Sequence, residues 1–163
     1  MCIRDRLDAQ QYQASLAAFG HVAQLRPDYA DAYTNMAIAE IQWERYSEAR
    51  PHLAKALELA PGNARALYYR ALVERNEGNL DLAITDLNLV LKGFPRSKDA
   101  HRELGFSLYQ QHKYPEALAQ YEALQAIDPD DLAAHYNLSI LCRRLGMKAV
   151  SYTHLTLPTI YSV

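Results

Sequence analysis

Residues 98–131 read KDAHRELGFSLYQQHKYPEALAQYEALQAIDPDD. This stretch has counterparts along the chain. Pro129 is the last of four prolines, Pro27, Pro61, Pro95 and Pro129, each 34 residues from the next. Other columns keep the same period. Small residues fall at Ser15, Ala49, Ala83 and Ala117, and large apolar ones four places later at Phe19, Leu53, Leu87 and Tyr121. Tyr12, Tyr46, Leu80 and Tyr114 form a further column, and Ala32, Ala66, Ala100 and Ala134 another. A fixed period in this range marks a chain built of stacked, self-similar units.

A period of 34 residues accommodates two short helices and two turns. In the unit 30–63, Tyr33, Met36, Ala37 and Ile41 recur at helical spacing and predict a helix over Ala30 to Trp43, capped by Asp28 or a neighbour. A turn at 44–46 follows. Ser47 is the expected cap of a second helix with the apolar stripe Ala49, Leu53, Ala56, Leu57 and Leu59. Pro61 and Gly62 end it, and Asn63 caps the next unit; Ser97 and Asp131 are the corresponding later caps. Pro115 opens its helix, where the missing N–H costs nothing. Pro51 lies inside its helix and carries a local cost. The small columns predict close helix packing, with each unit burying its face only against its neighbours.

With these columns in place, the chain resembles the tetratricopeptide repeat family. The unit 98–131 carries Leu104-Gly105, Leu108, Ala117 with Tyr121 four residues on, and Pro129, in the family's order and spacing. The aromatic that often opens the motif is Tyr33, Leu67, His101 and His135 here, and the small residue of the first helix is Ala37, Ala71, Gly105 and Ser139. The resemblance implies an all-α, right-handed superhelical solenoid of antiparallel helix pairs. Its expected extent is 7–149: a partial repeat 7–29, full repeats 30–63, 64–97 and 98–131, and a partial repeat 132–149.

Both ends break the pattern. The opening MCIRDR lacks the expected apolar spacing, and the β-branched closing stretch VSYTHLTLPTIYSV puts Pro158 in mid-helix. Both strings resemble translated sequencing-adapter read-through on a bacterial metagenomic fragment. On that expectation 1–6 and 150–163 stand outside the fold, and the parent protein is longer. Its compartment, cytoplasmic or periplasmic, is then unread.

The 163 residues are half hydrophobic and 22% charged, with a formal net charge of −2, which favours neither nucleic acid nor an anionic membrane as a partner. No apolar run approaches the ~20 residues that span a bilayer. Cys2 and Cys142 cannot build a disulfide framework or a four-cysteine zinc site. No phosphate-binding glycine loop, nucleophile elbow, zinc-protease motif or paired-cysteine motif occurs, so no enzyme activity and no cofactor are expected. His101 and His135 share a column and read as replacements for the aromatic, a metal pair needing further ligands. Cys142 reads as a core filler, and Asp130-Asp131 as caps rather than an acid–base pair.

The resemblance directs attention to the first helices, which line a concave surface in this family. Placed there are Asp31, Thr34, Asn35, Ile38 and Gln42, then Arg65, Tyr68, Tyr69, Leu72 and Asn76, then Asp99, Arg102, Glu103, Phe106 and Tyr109, then Ala133, Tyr136, Asn137, Ile140 and Arg144. The expected peptide-binding groove consists of Asn35, Arg65, Tyr68, Tyr69, Leu72, Arg102, Phe106, Tyr109, Tyr136, Asn137 and Arg144. Tyr and Arg anchor interfaces, and Asn can hydrogen-bond a peptide main chain. The carboxylate clamp of chaperone-binding members is not expected. Its places hold Thr34 and Ile38, then Tyr69, then Asp99 and Glu103, and the acids would repel a peptide C-terminus. Three readings remain open: a protein- or peptide-binding scaffold, an accessory array of a larger enzyme or redox protein, and a self-associating element with uncapped ends.

Overall fold

The computed structural model describes residues 3–146, which form eight helices and no strand. They are α1 (Ile3–Leu25), α2 (Ala30–Gln42), α3 (Tyr46–Leu59), α4 (Ala64–Asn76), α5 (Leu80–Gly93), α6 (Lys98–Gln110), α7 (Tyr114–Ile127) and α8 (Leu132–Arg144). The full repeats are α2–α3, α4–α5 and α6–α7, each packed on its neighbours. The first helices also meet one another, α2 against α4 and α4 against α6, and so form an inner layer. This is the all-α solenoid of helix pairs expected from the period.

The columns form the core. Ala49, Ala83 and Ala117 are fully buried, as are Ala32, Ala66, Ala100 and Ala134. Leu53, Leu87 and Tyr121 are buried beside them. In each repeat the size of this residue is matched by the one facing it from the first helix. Ala37 and Ala71 stand in the repeats with Leu53 and Leu87, whereas Gly105 stands in the repeat with Tyr121. A Cβ on Gly105 would lie 2.8 Å from the Tyr121 ring. Burial pushes the Tyr121 phenol up to about 12. Ser15 and Phe19 hold the same columns in α1 but are only half-buried.

The turns also repeat. Glu44, Gly78, His112 and Gly146, again 34 residues apart, all have positive φ, at 59°, 86°, 60° and 65°. Following them, Arg45, Asn79 and Lys113 donate their N–H groups to Glu40, Glu74 and Leu108, five residues back. This is the Schellman closure, in which a left-handed residue lets the chain satisfy the last helix carbonyls. At the other turns, Tyr29, Asn63, Ser97 and Asp131 occupy the N-cap position. Asn63, Ser97 and Asp131 accept hydrogen bonds from their helices, as the sequence predicted.

Two caps lack the expected side-chain bond. For the first helix the cap is Tyr29, the neighbour of Asp28, whose phenol cannot fold back onto the first turn. Ser47 lies one residue inside α3 and its hydroxyl donates to Glu48 instead, 2.8 Å away. Pro115 opens α7, and Pro51 sits within α3. The helix α1 is a single run of 23 residues and takes in 3–6, which the sequence reading set apart. The other expectations about the ends concern 1–2 and 147–163, which lie outside the described residues.

Candidate functional site: the inner face and its corner

The repeating column Tyr33, His101, His135 has a structural task. The Tyr33 hydroxyl donates to the carbonyl of Pro27, 3.3 Å away, and ring nitrogens of His101 and His135 meet the carbonyls of Pro95 and Pro129 at 3.0 and 2.6 Å. Each side chain thus ties a first helix to the turn that precedes it. Among the described residues no group of three or more His, Cys, Asp or Glu is placed to hold a metal ion. Cys142 is a buried free thiol.

Along the inner layer, the middle of α2 is closed, while Gln42 at its end is exposed. Thr34 and Ile38, expected on the open surface, are buried, and the Thr34 hydroxyl donates back to the Ala30 carbonyl of its own helix. Asn35 is half-buried there. The open part of the face begins at α4. Tyr68 and Tyr69 are half-buried against the core, edge to face with centroids 5.3 Å apart. Burial first, then the Glu103 and Asp99 carboxylates, raise the Tyr68 phenol far above its ordinary value, so it stays a neutral donor. Leu72 is half-buried one turn further.

On α6, Arg102 is not a free anchor. Its guanidinium donates to Asp99 at 2.8 Å and to the α8 cap Asp131 at 2.6 Å. It therefore joins one repeat to the next, as Asn63 does by donating to Asp31 at 3.1 Å. Phe106 is 36% exposed and lies under the Arg75 guanidinium, 5.1 Å from its ring centroid. Arg75 also pairs with Glu103 at 3.3 Å. Burial raises the Glu103 carboxyl, against the pull of Arg75 and Arg102. On α8, Tyr136 is 66% exposed. Arg144 stacks 5.5 Å from the Tyr109 and Tyr114 ring centroids. Asn137 donates to the Ala133 carbonyl of its own helix, which occupies part of the amide expected to read a peptide.

Sequence reasoning missed Arg75, although it shares a column with Tyr109, which was counted. It also missed a corner cleft of about 690 Å³ where the start of α4 meets the α5–α6 turn. Arg65, Tyr68 and Tyr69 of the expected groove line it, together with Phe94, Arg96 and Asp99. Phe94 and Arg96 belong to a turn, so no helical periodicity pointed to them.

Two tetratricopeptide repeat models match the chain, at residues 34–101 and 98–131, and so run without a gap from 34 to 131. Mouse sperm-associated antigen 1 is 43% identical over 75 residues, which cover 46% of this chain and 8% of that protein. The match therefore spans only a small part of the relative's length. Among solved structures, MamA superposes with a TM-score of 0.80 at 18% identity, over 90% of this chain and 86% of that one. The first such repeat domain of Spaghetti (RPAP3), solved with the HSP90 peptide SRMEEVD, superposes with a TM-score of 0.69 at 20% identity, over 72% and 93% of the two chains. The helix pairs, their 34-residue columns and the matched models agree: the chain belongs to the tetratricopeptide repeat family.

Proposed function

We propose that the chain is a non-catalytic scaffold module that binds a protein or peptide partner, as an extended or helical segment, along the face formed by α4, α6 and α8. The observation that carries this is the row of aromatic side chains left open there, Phe106 and Tyr136, flanked by Arg75 and Arg144. Large aromatic and Arg side chains on a concave surface are the usual energetic anchors of an interface. The peptide held by the RPAP3 domain supports the reading by analogy of fold. The reading includes no cofactor, and no nucleic acid among its partners.

The test is affinity capture with quantitative mass spectrometry, comparing the unaltered chain with Phe106→Ala/Tyr136→Ala. Proteins held by the face should fall at least tenfold in the variant, with a thermal melt to confirm that it remains folded, since Tyr136 is 66% exposed but Phe106 only 36%. Equal capture by the two chains rejects the face. Tyr68 and Arg102 serve this test poorly. One packs on the core and the other ties α6 to α8, so removing them alters stability as well.

A second reading, an accessory array within a larger enzyme or redox protein, draws on one observation: the matched stretch is 8% of the mouse relative. It is compatible with the first, since such an array would act by the same face.

A further inference from the structure

The corner cleft has a chemistry that the fold does not require. Arg65 and Arg96 line it, and neither has an ion-pair partner among the described residues. Its one carboxylate, Asp99, is bonded to Arg102 at 2.8 Å, which leaves the cleft with a surplus of positive charge. Tyr68, Tyr69 and Phe94, the last 60% exposed at the turn, line the same cleft.

The corresponding corners of the other repeats differ. Where this one has Phe94 and Arg96, the preceding unit has Ala60 and Gly62, and the following one Asp128 and Asp130. Where this one has Arg65, its neighbours have Asp31 and Asp99. The basic, aromatic corner therefore occurs once among these three, between a corner that lacks both the ring and the arginines and an acidic one.

We propose that this cleft is a specificity pocket for a peptide segment in which a bulky apolar side chain lies next to a carboxylate. The volume, about 690 Å³, falls within the ~300–1,000 Å³ typical of ligand pockets. The apolar side chain inserts among Tyr68, Tyr69 and Phe94, and its acidic neighbour meets Arg65 and Arg96 at the rim, where a fork of donors suits a carboxylate. The proposal rests on the peptide-binding reading above and names the partner's chemistry at one end of the same face.

The experiment is selection from a displayed random dodecapeptide library on three immobilised chains: unaltered, R65E/R96E, and F106A/Y136A. Thermal melts confirm that each is folded; Arg65 and Arg96 are exposed, so their replacement should leave the midpoint unmoved. The expected result is enrichment of Asp or Glu beside Phe, Trp, Tyr, Leu or Met on the unaltered chain, lost on R65E/R96E. In anisotropy titrations, changing that acid to its amide should raise Kd at least tenfold on the unaltered chain and less than twofold on R65E/R96E. Enriched peptides without an acid–apolar pair, or indifferent to R65E/R96E, overturn the pocket. If those peptides are lost on F106A/Y136A, the inner face stands without it. No enrichment over bare support on any chain overturns both.

Discussion

The repeats 64–97 and 98–131 adjoin and share a period, but different columns pair most closely across their two helices. In 98–131 the motif leucine is Leu104, and Gly105 makes room for the Tyr121 ring. In 64–97 the leucine place holds Arg70. Its guanidinium donates two hydrogen bonds of 2.7 Å to the buried carboxylate of Asp86 on the next helix. The hydrogen bond to Asp86 raises the Arg70 pKa further, so the guanidinium stays charged. Repeat 64–97 thus adds a charge pair to its buried Ala71 and Leu87, whereas 98–131 relies on the shape fit of Gly105 and Tyr121.

The largest expected effect comes from breaking the charge pair. Arg70→Leu restores the family's residue yet strands the Asp86 carboxylate, which is 1% exposed, and should cost ~3–5 kcal/mol in denaturant unfolding. Arg70→Leu/Asp86→Leu should recover most of that loss. A single variant as stable as the unaltered chain would show that Asp86 is not held by Arg70.

Next comes the shape pair. Gly105→Ala improves helix propensity by ~1 kcal/mol but drives a methyl into Tyr121 at an overpacking cost of ~1–3 kcal/mol, for a net loss of up to ~2 kcal/mol. Adding Tyr121→Leu reproduces the Ala–Leu arrangement of the neighbouring repeats and should restore part of the stability. Additive effects in this double-mutant cycle would refute the pairing.

A smaller effect of opposite sign is expected at the turns. Gly78 supplies the left-handed residue of 64–97 without strain, whereas His112 must adopt it in 98–131. Left-handed backbone costs a residue with a Cβ ~1–2 kcal/mol, part of which glycine returns as unfolded-chain entropy. His112→Gly and Glu44→Gly should each raise the thermal midpoint, and Gly78→Ala should lower it.

The smallest effect separates the junctions that follow the two repeats. The neutral Ser97 caps α6, and Asp131 caps α8. Burial pulls the Asp131 carboxyl upward, but the Ala134 N–H and Arg102 outweigh it and hold it below the usual aspartate value of 3.8. A lowered folded-state pKa means that the unfolded chain takes up the proton first. Asp131's stabilisation is therefore complete above the ordinary aspartate range and is lost as pH falls through the lowered value. Glu103, raised chiefly by its burial, contributes with the opposite sign, since its protonation favours the folded state. Hydrogen exchange during acid titration should show α8 losing protection before α6. Asp131→Asn, which keeps a capping oxygen, should shift that loss least in acid and most at neutral pH.

Much of the fold was legible because a solenoid stacks one unit on the next. Spacing along the chain then maps directly onto position in space, and the buried columns, the helix pairs and the N-caps Asn63, Ser97 and Asp131 of the first helices follow from it. The left-handed column was harder to read, since only Gly78 and Gly146 mark a feature that Glu44 and His112 share. The binding face was legible only in part. The period places a residue on the first helix, but the packing of neighbouring elements decides whether it remains open. Thr34 and Tyr136 stand at equivalent positions, three repeats apart, with the first fully buried and the second 66% exposed.

The sequence by itself determined the architecture: its period, its helix boundaries and its small-residue columns are set by local spacing and by what each turn of helix must bury. Only the tertiary structure decided which charges are already spent. Arg102 reads as an available cation until Asp131 closes on it, while Arg65 and Arg96 stay free at the corner. Such pairing depends on the reach and direction of long side chains across two or three helices, which residue spacing along one helix does not encode.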